Sequence, residues 1–154
     1  MTYEAIINGA RGLIYFGGNN EKAMTDADKA LGWNWTFWKR VLRPVVEEIG
    51  IKSPLYPALV APSSKLPVRV SSKGIEFCVR EAGDNLFVLA CKTDGTDVEV
   101  EFSGLPAGAS QGQVLYEEPR TVEAQNGKFK DWFAPFTVHV YRFRTPEGGS
   151  ASKP

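Results

Sequence analysis

The run Gly12-Leu13-Ile14-Tyr15-Phe16-Gly17 is apolar at every interior position and shows no alternation. A strand without in/out alternation is normally buried on both faces, as in a parallel sheet. With the short helical stretch over residues 3–10 that leads into it, the segment reads as the middle of a repeating α/β arrangement. A parallel strand needs parallel neighbours, and only one such run occurs in 154 residues. The pattern therefore predicts the end of a larger architecture. A polar loop follows, from Gly17-Gly18-Asn19-Asn20 to Gly32, and then Trp35, Trp38, Leu42, Val45 and Ile49 recur at spacings of three and four. That stripe predicts an amphipathic helix over residues 35–49, with Asn34 or Thr36 as N-cap and Gly50 as its stop. Pro44 lies inside it and removes a backbone donor, which predicts a kink or a break into two helices.

From residue 51 the pattern changes. Ser53-Pro54-Leu55-Tyr56-Pro57 and Ala61-Pro62-Ser63-Ser64-Lys65-Leu66-Pro67 are proline-rich and non-periodic, which predicts an extended linker pinned to a surface. Seven short strands are then expected, over residues 75–81, 86–92, 98–102, 114–116, 121–124, 128–133 and 137–144. Gly83-Asp84, Asp94-Gly95, Pro106-Ala107-Gly108 and Asn126-Gly127 punctuate them. Short strands at this spacing indicate an antiparallel sandwich. Val98-Glu99-Val100-Glu101-Phe102 alternates and has one wet face, whereas Phe87-Val88-Leu89-Ala90 does not and belongs at the centre. Phe77, Val79, Val88, Val100, Phe102, Val138 and Val140 are the expected buried positions. The fold class is thus mainly β: an antiparallel β-sandwich over residues 61–145, preceded by a helix-strand-helix segment and linker over residues 1–60 and followed by a small, polar, disordered tail over residues 146–154.

Composition narrows the partners. Eighteen basic against 18 acidic residues and an apolar share of 43% are ordinary for a globular protein. There is no basic excess for nucleic acid or an anionic membrane surface, and no apolar run approaches the roughly 20 residues that span a bilayer. Met1-Thr2-Tyr3-Glu4 lacks the pattern of a secretory signal. Cys78 and Cys91 fall on strands expected to pair. A turn centred on Asp84-Asn85 sets them opposite each other within reach of a disulfide, and one centred on Gly83-Asp84 sets them diagonally. Two free thiols are the default. Neither has a CxxC partner or a nearby histidine, so no metal and no cofactor is expected.

Three features resemble the C-terminal end of barrel-type glycoside hydrolases, in which a (β/α)8 barrel is followed by a β-sandwich accessory domain. These are the helix entering Gly9-Ala10-Arg11-Gly12-Leu13-Ile14-Tyr15-Phe16-Gly17, the tryptophan-bearing helix ending Val45-Val46-Glu47-Glu48-Ile49, and the closing Asp131-Trp132-Phe133-Ala134-Pro135-Phe136-Thr137-Val138-His139-Val140-Tyr141-Arg142-Phe143. The resemblance covers residues 3–144. It implies that residues 3–10 correspond to the seventh barrel helix, 12–17 to the eighth strand and 35–49 to the eighth helix. The parent family is often secreted. Such enzymes work with two carboxylic acids at the ends of the fourth and seventh strands. Neither strand is present, so the resemblance transfers no catalytic residue, and hydrolysis by the chain's own residues is not expected. It does imply a polysaccharide partner, with Asn19, Asn20, Glu21 and Trp33 marking a remnant sugar site on the loop after Phe16, at the C-terminal face of the strands.

Each candidate also has a plainer reading. Trp35 and Trp38 share the apolar stripe and are expected in packing, Trp33 precedes it, and Glu21, Asp26 and Asp28 read as a solvated acidic loop. Trp132 and Phe133 are expected in the sandwich core rather than on a carbohydrate-stacking platform. His139, the only histidine, is expected to be structural and hydrogen-bonded. Glu99, Glu101, Glu117 and Glu118 read as solvent faces. Three functions follow, in order: a carbohydrate-associated, non-catalytic accessory module; a structural or interaction unit; and a glucanase- or xylanase-like enzyme whose site is pooled by oligomerisation. The unpartnered Leu13, Ile14, Tyr15 and Phe16, together with the Trp35/Trp38 helix, predict a homo-oligomer.

Overall fold

The computed structural model describes residues 1–15, 26, 30 and 38–145. Two antiparallel sheets dominate. The strands are β1 (Arg69–Val70), β2 (Ile75–Ala82), β3 (Asn85–Lys92), β4 (Val98–Ser103), β5 (Gln111–Leu115), β6 (Arg120–Glu123), β7 (Lys128–Phe133) and β8 (Val138–Arg144). One sheet has the order β2-β3-β8-β5-β6 and the other β1-β4-β7. Six of the expected strands agree with β2, β3, β4, β6, β7 and β8 to within a residue at each end. The expected strand 114–116 begins earlier, at Gln111, and stops at Leu115 because Tyr116 takes the left-handed conformation at φ 65°. Among the described residues there is no helix beyond Val60.

Alternation explains the layers. In β3, Leu86, Val88 and Ala90 face the smaller sheet, while Phe87, Leu89 and Cys91 face the helices, and both sets are buried. That two-sided burial is why this strand carries no alternating pattern. In β8 the same period turns Tyr141 and Phe143 toward the smaller sheet and Val138 and Val140 toward the helices. Val138 and Val140 therefore belong to the helical side of the large sheet rather than to the space between the sheets. Val79, Val88, Val100, Phe102 and Val140 are buried, and Phe77 and Val138 are half-buried.

Turn chemistry fixes the register. Ala82 pairs with Asn85, so the loop is Gly83-Asp84, with Gly83 at φ 56° as a two-residue hairpin with glycine first requires. Asn126 and Gly127 both take positive φ in the tight turn that bridges Gln125 and Lys128. The first turn decides the cysteine geometry. Cys91 pairs with Glu76 and Cys78 with Leu89, so the thiols are diagonal, and both are free. Burial pushes both thiols up, Cys91 to about 11.

The helical layer differs more from expectation. Helix α1 spans Thr2–Ile7 and buries Tyr3, Ile6 and Ile7 against the large sheet. Of the strand expected over 12–17, residues 12–15 are described, and they join no ladder among the described residues. Every ladder among the described residues is antiparallel, and none of them offers a parallel neighbour to residues 12–15. A π-helical turn at Trp38–Leu42 gives way to α2 (Arg43–Ile49), with Pro44 in its first turn, where the missing N–H costs least. The helix changes type just before this proline, from π to α, without leaving helical backbone at Leu42, and Gly50 ends it. The stretch expected as extended linker contains helix α3 (Tyr56–Val60), again with a proline in its first turn. Leu55 and Ala58, fully buried, anchor it. Burial of an apolar side chain contributes about 1.5–3 kcal/mol, which outweighs the weak helix preference of five residues. Arg11 fastens this region by donating to the carbonyls of Leu59 and Ala61 at 2.8 and 3.1 Å.

Candidate functional site

The sugar-site candidates Asn19, Asn20, Glu21 and Trp33 lie outside the described residues, as do Asp28, Trp35, Phe16 and the tail 146–154. Asp26 is described and exposed. Trp38, expected in packing, is exposed. Among the described residues no group of three or more His, Cys, Asp or Glu is placed to hold a metal, and no helix is long and apolar enough to cross a membrane.

The chemistry that is described gathers at β7. Period-two alternation turns Phe129, Asp131 and Phe133 inward and Lys128, Lys130 and Trp132 outward. Phe133 is fully buried as expected, whereas Trp132 is 63% exposed. The core expectation thus holds for one aromatic and fails for its neighbour, because adjacent strand residues point to opposite faces. Four residues on, in the connection to β8, Phe136 is 69% exposed and sits at φ 57°. The tip of the turn between β3 and β4 approaches it: a Cβ placed on Gly95 would lie 3.9 Å from the Phe136 ring. Beside Trp132 the outer face carries two ion pairs, Lys130 Nζ to Glu99 Oε2 at 3.3 Å and Lys128 Nζ to Glu101 Oε1 at 3.0 Å. Glu99 is the cross-strand partner of Trp132. Glu99 and Glu101 hold the solvent face expected of them.

A polar network fixes the backbone beneath. Among the described residues β7 lies at the edge of its sheet, and at Trp132 both main-chain groups find side chains: its N–H donates to Asp131 Oδ1 at 2.9 Å, and its carbonyl lies 3.1 Å from His139 Nε2. The other Asp131 oxygen accepts the Tyr141 hydroxyl at 2.8 Å and Arg120 Nη1 at 2.8 Å. Arg120 also reaches Glu117 at 3.0 Å, and Glu117 contacts His139 Nδ1. Burial and the Asp131 charge push the Tyr141 hydroxyl up, so it remains a donor. Burial opposes the Arg120 charge, and Asp131 and Glu117 outweigh it, with a net upward shift. His139 is structural and hydrogen-bonded, as expected. Glu117 and Glu118 are both exposed, as expected, though in the connection between β5 and β6 rather than on a strand, and Glu117 also joins this network.

Two clefts lie on the helical side. One of about 740 Å³ runs between α2 and Tyr116, past Pro44, Glu48, Ile51 and Ser53. Tyr3 donates to Glu48 Oε2 at 2.7 Å, and burial holds the Glu48 carboxyl above the usual range against that hydrogen bond. The other, of about 470 Å³, is lined mostly by apolar groups including Leu13, Tyr15, Ile49 and Leu59.

No protein-family model and no curated protein matches this chain. Solved structures do. An alpha-glucosyl transfer enzyme is similar over 79% of this chain and 21% of its own, at 19% identity and a TM-score of 0.45. An Anoxybacillus alpha-amylase is similar over 60% of this chain and 20% of its own, at 16% identity and a TM-score of 0.43. A GH30 endoxylanase from Clostridium papyrosolvens C71 is similar over 48% of this chain and 21% of its own, at 12% identity and a TM-score of 0.41. The chain spans about a fifth of the length of each.

Proposed function

We propose that this chain is a carbohydrate-associated accessory module that holds a polysaccharide on the outer face of the smaller sheet. The observation that carries this reading is Trp132, a large aromatic ring left in solvent on a strand whose main chain is fixed on both sides. An indole presents a broad apolar face at little conformational cost, and the C–H face of a sugar ring is its natural complement. Glutamate and lysine side chains beside it supply the acceptors and donors that hydroxyl groups need. The chain's own carboxylates take no catalytic part in this reading. Trp132→Ala is expected to weaken retention on a polysaccharide-containing native gel by at least about tenfold, as truncation of a buried anchor does in other interfaces. Unchanged retention, or none for either protein, removes the proposal.

A specific observation favours a second reading alongside the first, self-association through the helical layer. Ile14 is 95% exposed, Tyr15, Trp38 and Val41 are also exposed, and residues 12–15 have no ladder partner among the described residues. Pairing of this segment with its copy about a two-fold axis satisfies both the backbone and the apolar side chains. Sedimentation at micromolar concentration is expected to show a dimer that Ile14→Asp converts to monomer. A strict monomer for the unaltered chain defeats this reading.

A further inference from the structure

We infer that the ligand of the Trp132 surface is an uncharged polysaccharide that lies across β4 and β7, an inference resting on the carbohydrate reading above. The outward charges of β4 and β7 are Glu99, Glu101, Lys128 and Lys130, and each lysine is paired with one glutamate; Arg69, exposed on β1 opposite Ser103, adds one cation at the far edge of the sheet. Two cations and two anions interleaved within a few ångströms leave no single-signed field to attract an acidic or a basic polymer. An acidic chain that takes a lysine must also meet a glutamate. A hydroxyl group suffers no such conflict, since it donates to the carboxylate and accepts from the ammonium of one pair. The mixture of paired charges is therefore matched to a neutral polyol.

Phe136 adds an independent argument. Phe136 is the third residue of the turn Ala134-Pro135-Phe136-Thr137, closed by the Thr137 N–H to the Ala134 carbonyl at 3.2 Å, and proline in second place with positive φ in third is the type II pattern. The turn fixes this backbone and leaves the ring 69% exposed. An aromatic ring held outward on a closed turn is available to a ligand. Both rings stand at the same end of the sandwich on open surface, and neither of the clefts described above includes them. A chain passing over the face fits this arrangement; a chain end inserted into a pocket does not.

The test is retention on hydroxyethyl cellulose and soluble starch, both neutral, against polygalacturonate and heparin, both anionic. The expected result is retention on a neutral polymer that changes by less than about twofold between about 0.05 and about 0.5 M salt, where screening removes ionic attraction. Phe136→Gly is expected to lower that retention by about tenfold while the thermal midpoint holds or rises, because glycine accepts positive φ freely. The double variant Glu99→Gln, Glu101→Gln leaves two lysines uncompensated and is expected to gain retention on polygalacturonate. Salt-sensitive retention of the unaltered chain on the anionic polymers alone overturns the neutral-ligand inference and leaves the carbohydrate reading standing. No retention on any of the four overturns both. Phe136→Gly that loses thermal stability with retention unchanged shows a structural ring and overturns its assigned role.

Discussion

Phe102→Ala is expected to cost about 3–5 kcal/mol of folding stability, the range for removing a fully buried phenyl ring. Phe102 is wholly buried at the centre of the inter-sheet core. Its ring stacks on Phe129 at 4.6 Å, meets Tyr141 edge-on at 5.8 Å, and contacts Phe133 and Phe77 at 6.2 Å. These neighbours come from β2, β7 and β8, so the cavity is walled by both sheets and has little freedom to collapse. Against a typical total of about 5–15 kcal/mol, the loss leaves a marginal protein or an unfolded one. Urea unfolding followed by tryptophan fluorescence measures it. A loss below about 1 kcal/mol means that the two sheets do not share the core described.

The same residue shows what the sequence makes legible. Phe102 ends an alternating run whose polar partners, Glu99 and Glu101, are outward in the structure, so its burial followed from period two alone. Period two over residues 128–133 also separates Trp132 from Phe133. Reading the two aromatics as a pair, by hydrophobicity rather than by position, is what sent Trp132 into the core. Phe136 carried a weaker signal. It follows Pro135 in a connection, and nothing in its identity announces a positive φ. Helix α3 was hidden by its prolines, which suit a first helical turn as well as an extended linker, and tertiary burial of Leu55 and Ala58 decided between them. The part Glu117 plays in the network was hidden for a different reason: its partners, Arg120 and His139, come together only through the antiparallel order β8-β5-β6. The apolar run beginning at Gly12 was read for a sheet that requires parallel neighbours, and the described ladders supply none. Asn19, Asn20, Glu21 and Trp33 remain expectations from the sequence.

The polar network behind Trp132 gives the second large effect. Asp131→Ala is expected to destabilise the fold by about 2–4 kcal/mol, less than loss of a fully buried ion pair because Arg120 retains Glu117 and some solvent. The Asp131 side chain is only 12% exposed and serves three donors: Arg120, the Tyr141 hydroxyl and the Trp132 N–H. Removing it leaves the hydroxyl of the fully buried Tyr141 without its acceptor, and the penalty for that alone is about 1–3 kcal/mol. Asp131→Asn keeps a carbonyl oxygen for the tyrosine or the main chain but gives up the charge facing Arg120. It is expected to fall between the native chain and the alanine variant. Thermal unfolding of the three proteins separates the contributions, with a midpoint drop for the alanine variant of roughly 5–15 °C in a chain of this size. The ordering also bears on function. Trp132 is presented by a backbone that Asp131 and His139 hold, so polysaccharide retention should fall in both Asp131 variants at temperatures where the sheets remain folded. If the asparagine and alanine variants unfold at the native midpoint, the carboxylate carries no structural weight, and the platform rests on the β4–β7 ladder alone.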